Sequence, residues 1–154
     1  MANVVVDSTL FAKYLNTKAR SQGIEMNITK LMKLMYICYG TYLTVYNQRL
    51  LNEQPQAWPY GPVFAIARQE MSSQSNWIAV CNSLNLEDAN ITDKIDKLIN
   101  VVLSTFGTWS AVQLSNWTHQ SGSPWEKTVL SYEFGTPISD DSIKSYFTRI
   151  VTHA

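Results

Sequence analysis

The sequence predicts a mainly α protein: a single compact domain of about six or seven helices around a buried central helix, with a small β-ribbon. Three observations carry this reading. Between Ile28 and Asn47 apolar residues cover most of the helical circumference, as they do in a helix enclosed by others. Elsewhere apolar residues recur at three- and four-residue steps between capping signals. The 154 residues, 45% of them apolar, suffice for one real core.

The elements follow in order. Asp7 or Ser8 can cap a first helix with apolar positions Leu10, Phe11, Tyr14, Leu15 and Ala19, stopped at Gly23. Asn27 caps the second, the spine of the domain, which buries Leu31, Leu34, Met35, Cys38, Tyr39, Tyr42, Leu43 and Tyr46 and runs to about Asn47. Short extended pieces around Leu50 and Ala57 pair as the ribbon. Gly61 as N-cap and Pro62 as first helical residue start a third helix that ends near Met71. The run "NWIAVCNSL" is ambiguous, since Trp77, Ile78 and Val80 favour a strand but the segment is short. Ile91, Ile95, Leu98, Ile99, Val102 and Phe106 then mark a helix closed by Gly107. Ser110 to Gln113 is a capping box opening a short helix through Leu114, Trp117 and Thr118. In "SPWE", Ser123 caps, Pro124 takes the first turn beside Trp125, and Glu126 reaches back. A last helix begins after Ser139, with Asp140 and Asp141 at its positive end, and buries Ile143, Tyr146, Phe147 and Ile150.

Composition removes several function classes. Only 16% of residues are charged and the formal net charge is +0, so no basic face is advertised and nucleic acid is not an expected partner. The spine offers only Lys30 and Lys33 to a DNA groove, on a helix otherwise too apolar to read one. A weakly charged surface suits a protein that lives with a partner. No run of eighteen apolar residues and no signal peptide occur, so no membrane association is expected. The two cysteines, Cys38 and Cys81, read as free thiols in a reducing cytoplasm.

Catalytic signals are sparse. The two histidines are His119 and His153, and no ligand pair at metal-binding spacing accompanies them, so no metal is expected. No Gly-rich phosphate motif occurs, and no cofactor is expected. Glu87 and Asp88, like Asp140 and Asp141, are explained as helix-start residues. His119 can hydrogen-bond a loop backbone and lock the turn before Trp125. As a general base it would need a nucleophile that the sequence does not name. The stretch "AWPYGPVF", Ala57 to Phe64, concentrates two prolines, a glycine and three aromatics, which no helix interior tolerates. Trp58 and Tyr60 there can cover the spine helix or serve as a contact surface.

Three stretches in register resemble the Panacea antitoxin domain family, which includes SocA-type antitoxins and GepA-like phage-associated proteins. "KLMKLMYICYGTYLTVYNQRLLNE", Lys30 to Glu53, is similar to the family's K-L-x-K-L-x-Y helix, matched here by Lys30, Leu31, Lys33, Leu34 and Tyr36. "AWPYGPVF" resembles A-W-x-Y-G-P-V, with Gly61 and Pro62 in place. "LSNWTHQSGSPWEKT", Leu114 to Thr128, resembles L-S-x-x-T-H followed by P-W, matched by His119, Pro124 and Trp125. "IKSYF" is similar to the closing helix. Met32, Met35 and Pro59 depart from the pattern without removing a motif. The resemblance implies a non-enzymatic cytoplasmic antitoxin that neutralises a cognate protein toxin by direct contact. Its alternative is an adaptor or phage regulatory protein that delivers a partner to a cytoplasmic protease. A third reading, from the residues alone, is a small hydrolase using His119. Many members carry an added DNA-binding domain, and none is expected here. Because members meet unrelated toxins, the resemblance places partner choice outside the shared motif, on Arg68, Gln69, Ser73, Gln74 and Asn76.

Overall fold

The computed structural model describes residues 5–74, 76–79, 84, 86 and 88–152. Over these residues the chain forms α1 (Ser8–Ser21), α2 (Ile28–Tyr46), β1 (Gln56–Trp58), β2 (Gly61–Val63), α3 (Ala65–Ser72), a 3-10 turn at Trp77–Ala79, α4 (Ala89–Phe106), α5 (Ala111–Thr118), α6 (Pro124–Ser131) and α7 (Asp140–Thr152). The fold is mainly α with one small antiparallel ribbon.

The central helix is α2. Every residue from Lys30 through Gly40 is buried, because α1, α4, α5, α7 and β2 all pack on it. Asn27 caps its start through its side chain, and Asn47 ends it in the left-handed conformation, φ 54°. Where α7 crosses, Gly40 removes the side chain that would block it. A Cβ there would lie 2.5 Å from the ring of Phe147. Tyr36 then meets the same ring edge-on at 5.6 Å.

The other helix starts follow their local chemistry. The Asp7 carboxylate accepts from the Leu10 N–H, Ser110 and Gln113 form a reciprocal capping box, and Ser123 accepts from the Glu126 N–H. Glu126 reaches one residue further back than expected, accepting from the Gly122 N–H at 2.9 Å. At the start of α7, Ser139 accepts from the Ser142 N–H, while the Asp140 carboxylate accepts from the Tyr39 hydroxyl at 2.6 Å.

Two expectations are corrected, and one segment left ambiguous by the sequence takes a definite form. Leu50 and Leu51 do not pair with Ala57; their backbone meets Val6 in a parallel bridge, with Val6 N–H donating to the Leu50 carbonyl at 2.9 Å. Ala57 pairs instead with Pro62, so Gly61 and Pro62 belong to β2 and do not start a helix. The reason is Gly61 itself. Its φ of +120° folds the chain back along β1, a conformation closed to side-chain-bearing residues. The third helix begins at Ala65, and its first N–H groups are capped from outside. Buried Glu53 accepts from Ile66 and Ala67 N–H at 2.5 and 3.1 Å and from the Ser8 hydroxyl at 2.9 Å, joining the starts of α1 and α3. Lastly, Trp77–Ala79 is a 3-10 turn, not a strand; Val80 and Cys81 lie outside the described residues.

Leu34 is fully buried. Leu34→Ala should lower the unfolding free energy by about 2–5 kcal/mol through a cavity, and Gly40→Ala by about 1–3 kcal/mol by displacing Phe147. Urea unfolding midpoints check both; a wild-type midpoint for either would remove that contact from the core.

Candidate functional site

The ribbon ends in a tight turn at Pro59 and Tyr60, and two side chains from elsewhere grip the backbone of that turn. Trp125, on the first turn of α6, donates its indole N–H to the Trp58 carbonyl at 2.7 Å. His119, just past α5, stacks on Trp125 with ring centroids 3.8 Å apart and planes 12° from parallel. The Tyr60 backbone carbonyl lies against the imidazole. The Trp58 ring is half-buried, and the guanidinium of Arg68 lies over it at 5.5 Å.

With its carbonyl turned inward to His119, Tyr60 sends its side chain outward. It is 72% exposed, so it does not cover the spine helix as expected. Only Trp58 does so in part. Arg68 is likewise corrected: it is half-buried against Trp58 instead of standing free on α3. Gln69, Ser73 and Asn76 are exposed beyond it, and Gln74 is half-buried.

Beneath the turn lies Lys33 of α2, only 1% exposed. Its stem passes directly under Gly61: a Cβ at that position would be 2.6 Å from Lys33 Cε and 2.8 Å from Thr118 Oγ1. Gly61 is therefore required twice, by its positive φ and by the lysine below it. Burial, followed by the charge of Arg68, pushes the Lys33 ammonium down to about 8. Lys30, one turn earlier, resolves the same problem differently by donating to the Gly107 carbonyl at 2.7 Å. Burial also lowers the pKa of His119, with Lys33 adding to the effect and the Tyr60 carbonyl opposing it. Its Nε2 is buried without a hydrogen-bond partner, and the neighbouring Thr118 hydroxyl donates to the Ser115 carbonyl at 2.8 Å. That hydroxyl is not presented to the imidazole as a nucleophile would be. The contact His119 does make is its stack on Trp125.

The structure thus brings together Lys33, Trp58, Tyr60, Gly61, Arg68, His119 and Trp125. Pro62 continues the ribbon and Pro124 opens α6, while Leu31, Leu34 and Tyr36 belong to the core and Lys30 to the far end of α4. His153 and Glu87 lie outside the described residues. Among the described residues no helix is long and apolar enough to cross a membrane.

Sequence reasoning missed one set of exposed apolar side chains. Leu130, Tyr132 and Phe134 are 77%, 67% and 59% exposed at the end of α6 and in the segment after it. That segment continues along the free edge of β1, where Gly135 N–H donates to the Ala57 carbonyl and Ala57 N–H to the Thr136 carbonyl. Their signal was the alternation in "LSYEFG", apolar at every second residue before a glycine.

The Lys33 account has a consequence for pH. The folded value near 8 lies below the ordinary value of 10.5, so the unfolded chain binds more protons between them and stability rises with pH in that window. Above about pH 10 the buried tyrosines Tyr14, Tyr36 and Tyr39, all pushed up by burial, act in the opposite sense. In dilute chloride buffer from pH 7.5 to 9.5, wild type should gain stability relative to Lys33→Met; parallel profiles would mean that Lys33 titrates as an exposed lysine.

Comparison with known proteins covers the same assembly. The family model described as "Antitoxin SocA-like, Panacea domain" matches residues 31–126, a stretch containing Lys33, Trp58, Gly61, Arg68, His119 and Trp125. Antitoxin SocA of Caulobacter vibrioides (strain NA1000 / CB15N) is 27% identical over 159 residues, spanning 92% of this chain and 82% of that protein. No solved structure matches the chain. With more than half of its length matched by the family model, the chain belongs to the SocA-like Panacea domain family of antitoxins.

Proposed function

We propose that this protein is the antitoxin of a toxin–antitoxin pair, neutralising a cognate protein toxin by direct contact through the aromatic ribbon and its flanks. The observation that carries this reading is the exposure of Tyr60 at the tip of the ribbon and of Leu130, Tyr132 and Phe134 in the stretch leading to the segment paired with β1. Large apolar side chains on a stiff support give contact area at low entropic cost. Membership of an antitoxin family supplies the class of partner. The protein acts by binding in this reading, and His119 serves the turn.

Partner choice belongs to the side chains around the turn. Gln69, Ser73 and Asn76 are exposed and can change with little effect on folding, within about 0.5 kcal/mol each. Gly61 cannot change, for the steric reasons given above.

The test is coexpression with the neighbouring gene. Cells should survive with the wild-type protein and die without it. The double variant Tyr60→Ala, Phe134→Ala should keep the wild-type melting temperature yet weaken toxin binding by at least tenfold, about 1.4 kcal/mol. Val112→Ala, exposed on α5, is the control and should bind normally. Full neutralisation by the double variant would move the contact face elsewhere. His119→Gln should neutralise in proportion to the folded fraction; a folded His119→Gln that binds toxin without neutralising it would instead indicate chemistry.

A further inference from the structure

We infer that the groove between the last turns of α2 and the middle of α4 is a docking site for an amphipathic helix of another protein, one that carries acidic residues beside its apolar face. Its floor is Tyr42 and Leu98, both buried, and its walls are Val45 and Tyr46 from α2 and Val101 from α4. Val45 and Val101 are 54% and 61% exposed. Tyr46, which the sequence places among the buried residues of the spine, is exposed here as well, with its ring centroid 4.7 Å from that of Tyr42. Apolar side chains gathered in this way are more than scattered surface exposure accounts for.

The dimensions select the side chains of a helix over a small molecule. The groove encloses about 220 Å³, below the roughly 300–1,000 Å³ of small-ligand pockets. Along α4 it runs from Lys94 to Val101, two helical turns or about 10 Å. Apolar anchors at i, i+3 or i+4, and i+7 of an incoming helix span the same length. The ribbon lies elsewhere, since Lys33 beneath Gly61 and Val45 in the groove are about 18 Å apart along the axis of α2.

Charge names the occupant. Lys94 and Lys97 border the groove, both exposed, and no carboxylate among the described residues lines it. The Lys94 ammonium rests over the Tyr46 ring at 4.8 Å, which holds it at the edge of the apolar surface. Lys97 reaches Asp93 at 3.2 Å, but both are largely exposed, so the pair is weak and an arriving carboxylate competes with it. An apolar face flanked by Asp or Glu is the complement of this groove, while a basic helix would meet two like charges. A second copy of this chain fits less well. Its exposed apolar row, Leu130, Tyr132 and Phe134, includes one acid, Glu133, and seating that row here would join copies head to tail into open chains. The inference does not rest on the antitoxin reading, and its failure would leave that reading standing.

The experiment titrates into the full chain a synthetic peptide of about 18 residues, long enough to be helical in water, with leucines along one face and glutamates beside them. A second peptide carries lysine at every glutamate position. NMR follows the Val45 and Val101 methyl groups. Saturable shifts there are the expected result, with the glutamate peptide binding about tenfold tighter in dilute buffer and the preference shrinking in high salt. The double variant Lys94→Glu, Lys97→Glu should keep the wild-type melting temperature and reverse the preference. Val101→Ser should weaken both peptides about tenfold. Absence of saturation, equal affinity for the two peptides, a preference unchanged by the charge reversal, or shifts centred on Tyr132 and Phe134 would overturn the inference. So would shifts at Val45 and Val101 that follow protein concentration alone, since a second copy would then fill the groove.

Discussion

An α-helix buried on every side cannot hide two ammonium groups unless its neighbours are built around them. That constraint organises this fold. From Lys30 through Gly40 the helix α2 has no solvent face, yet its sequence carries Lys30 and Lys33. Each lysine must reach a place where its charge is tolerable. Lys30 ends on the carbonyl of Gly107, at the close of α4. Lys33 runs under the ribbon, and only glycine fits above it. The hairpin thus takes its shape from the helix beneath as much as from its own turn residues.

What the hairpin then presents follows from how it is held. The Trp58 and Tyr60 carbonyls point inward, to the Trp125 indole and the His119 imidazole. Stacking of those two rings joins the end of α5 to the start of α6. The turn cannot easily breathe, so Tyr60 is displayed from a fixed backbone. On the other edge of β1, residues 135–137 run as an irregular third strand and bring Phe134 and Tyr132 to the same ribbon. A rigid support with exposed aromatics is well suited to binding a folded partner, because little ordering remains to be done on contact.

Much of this was legible in the sequence where the signal was local. Asp7, Asn27, Ser110 and Ser123 announced their helices through caps, and the all-round apolar pattern of α2 announced its burial. Where the deciding contact came from far along the chain, the reading failed. Gly61 and Pro62 look like a helix start, but the start of α3 is set by Glu53, whose carboxylate no local pattern ties to Ile66. Lys33 looks like a polar position on a helix face, and its burial depends on Gly61 and Thr118. Tyr60 looks like a core aromatic until the direction of its carbonyl is known. The exposed row at Leu130, Tyr132 and Phe134 hid in a period-two pattern that normally signals a strand.

The central claim is that the ribbon stands on Lys33 and is held from below, and Gly61→Ala tests it most directly. The added methyl would meet Lys33 Cε and Thr118 Oγ1 at 2.6 and 2.8 Å while also straining a φ of +120°. The measurement is hydrogen exchange of the Trp125 indole N–H, read together with the melting temperature. The account predicts a loss of about 1–3 kcal/mol or more in stability and an indole that exchanges freely because the Trp58 carbonyl has moved away. A Gly61→Ala protein with wild-type melting and a fully protected indole would contradict it.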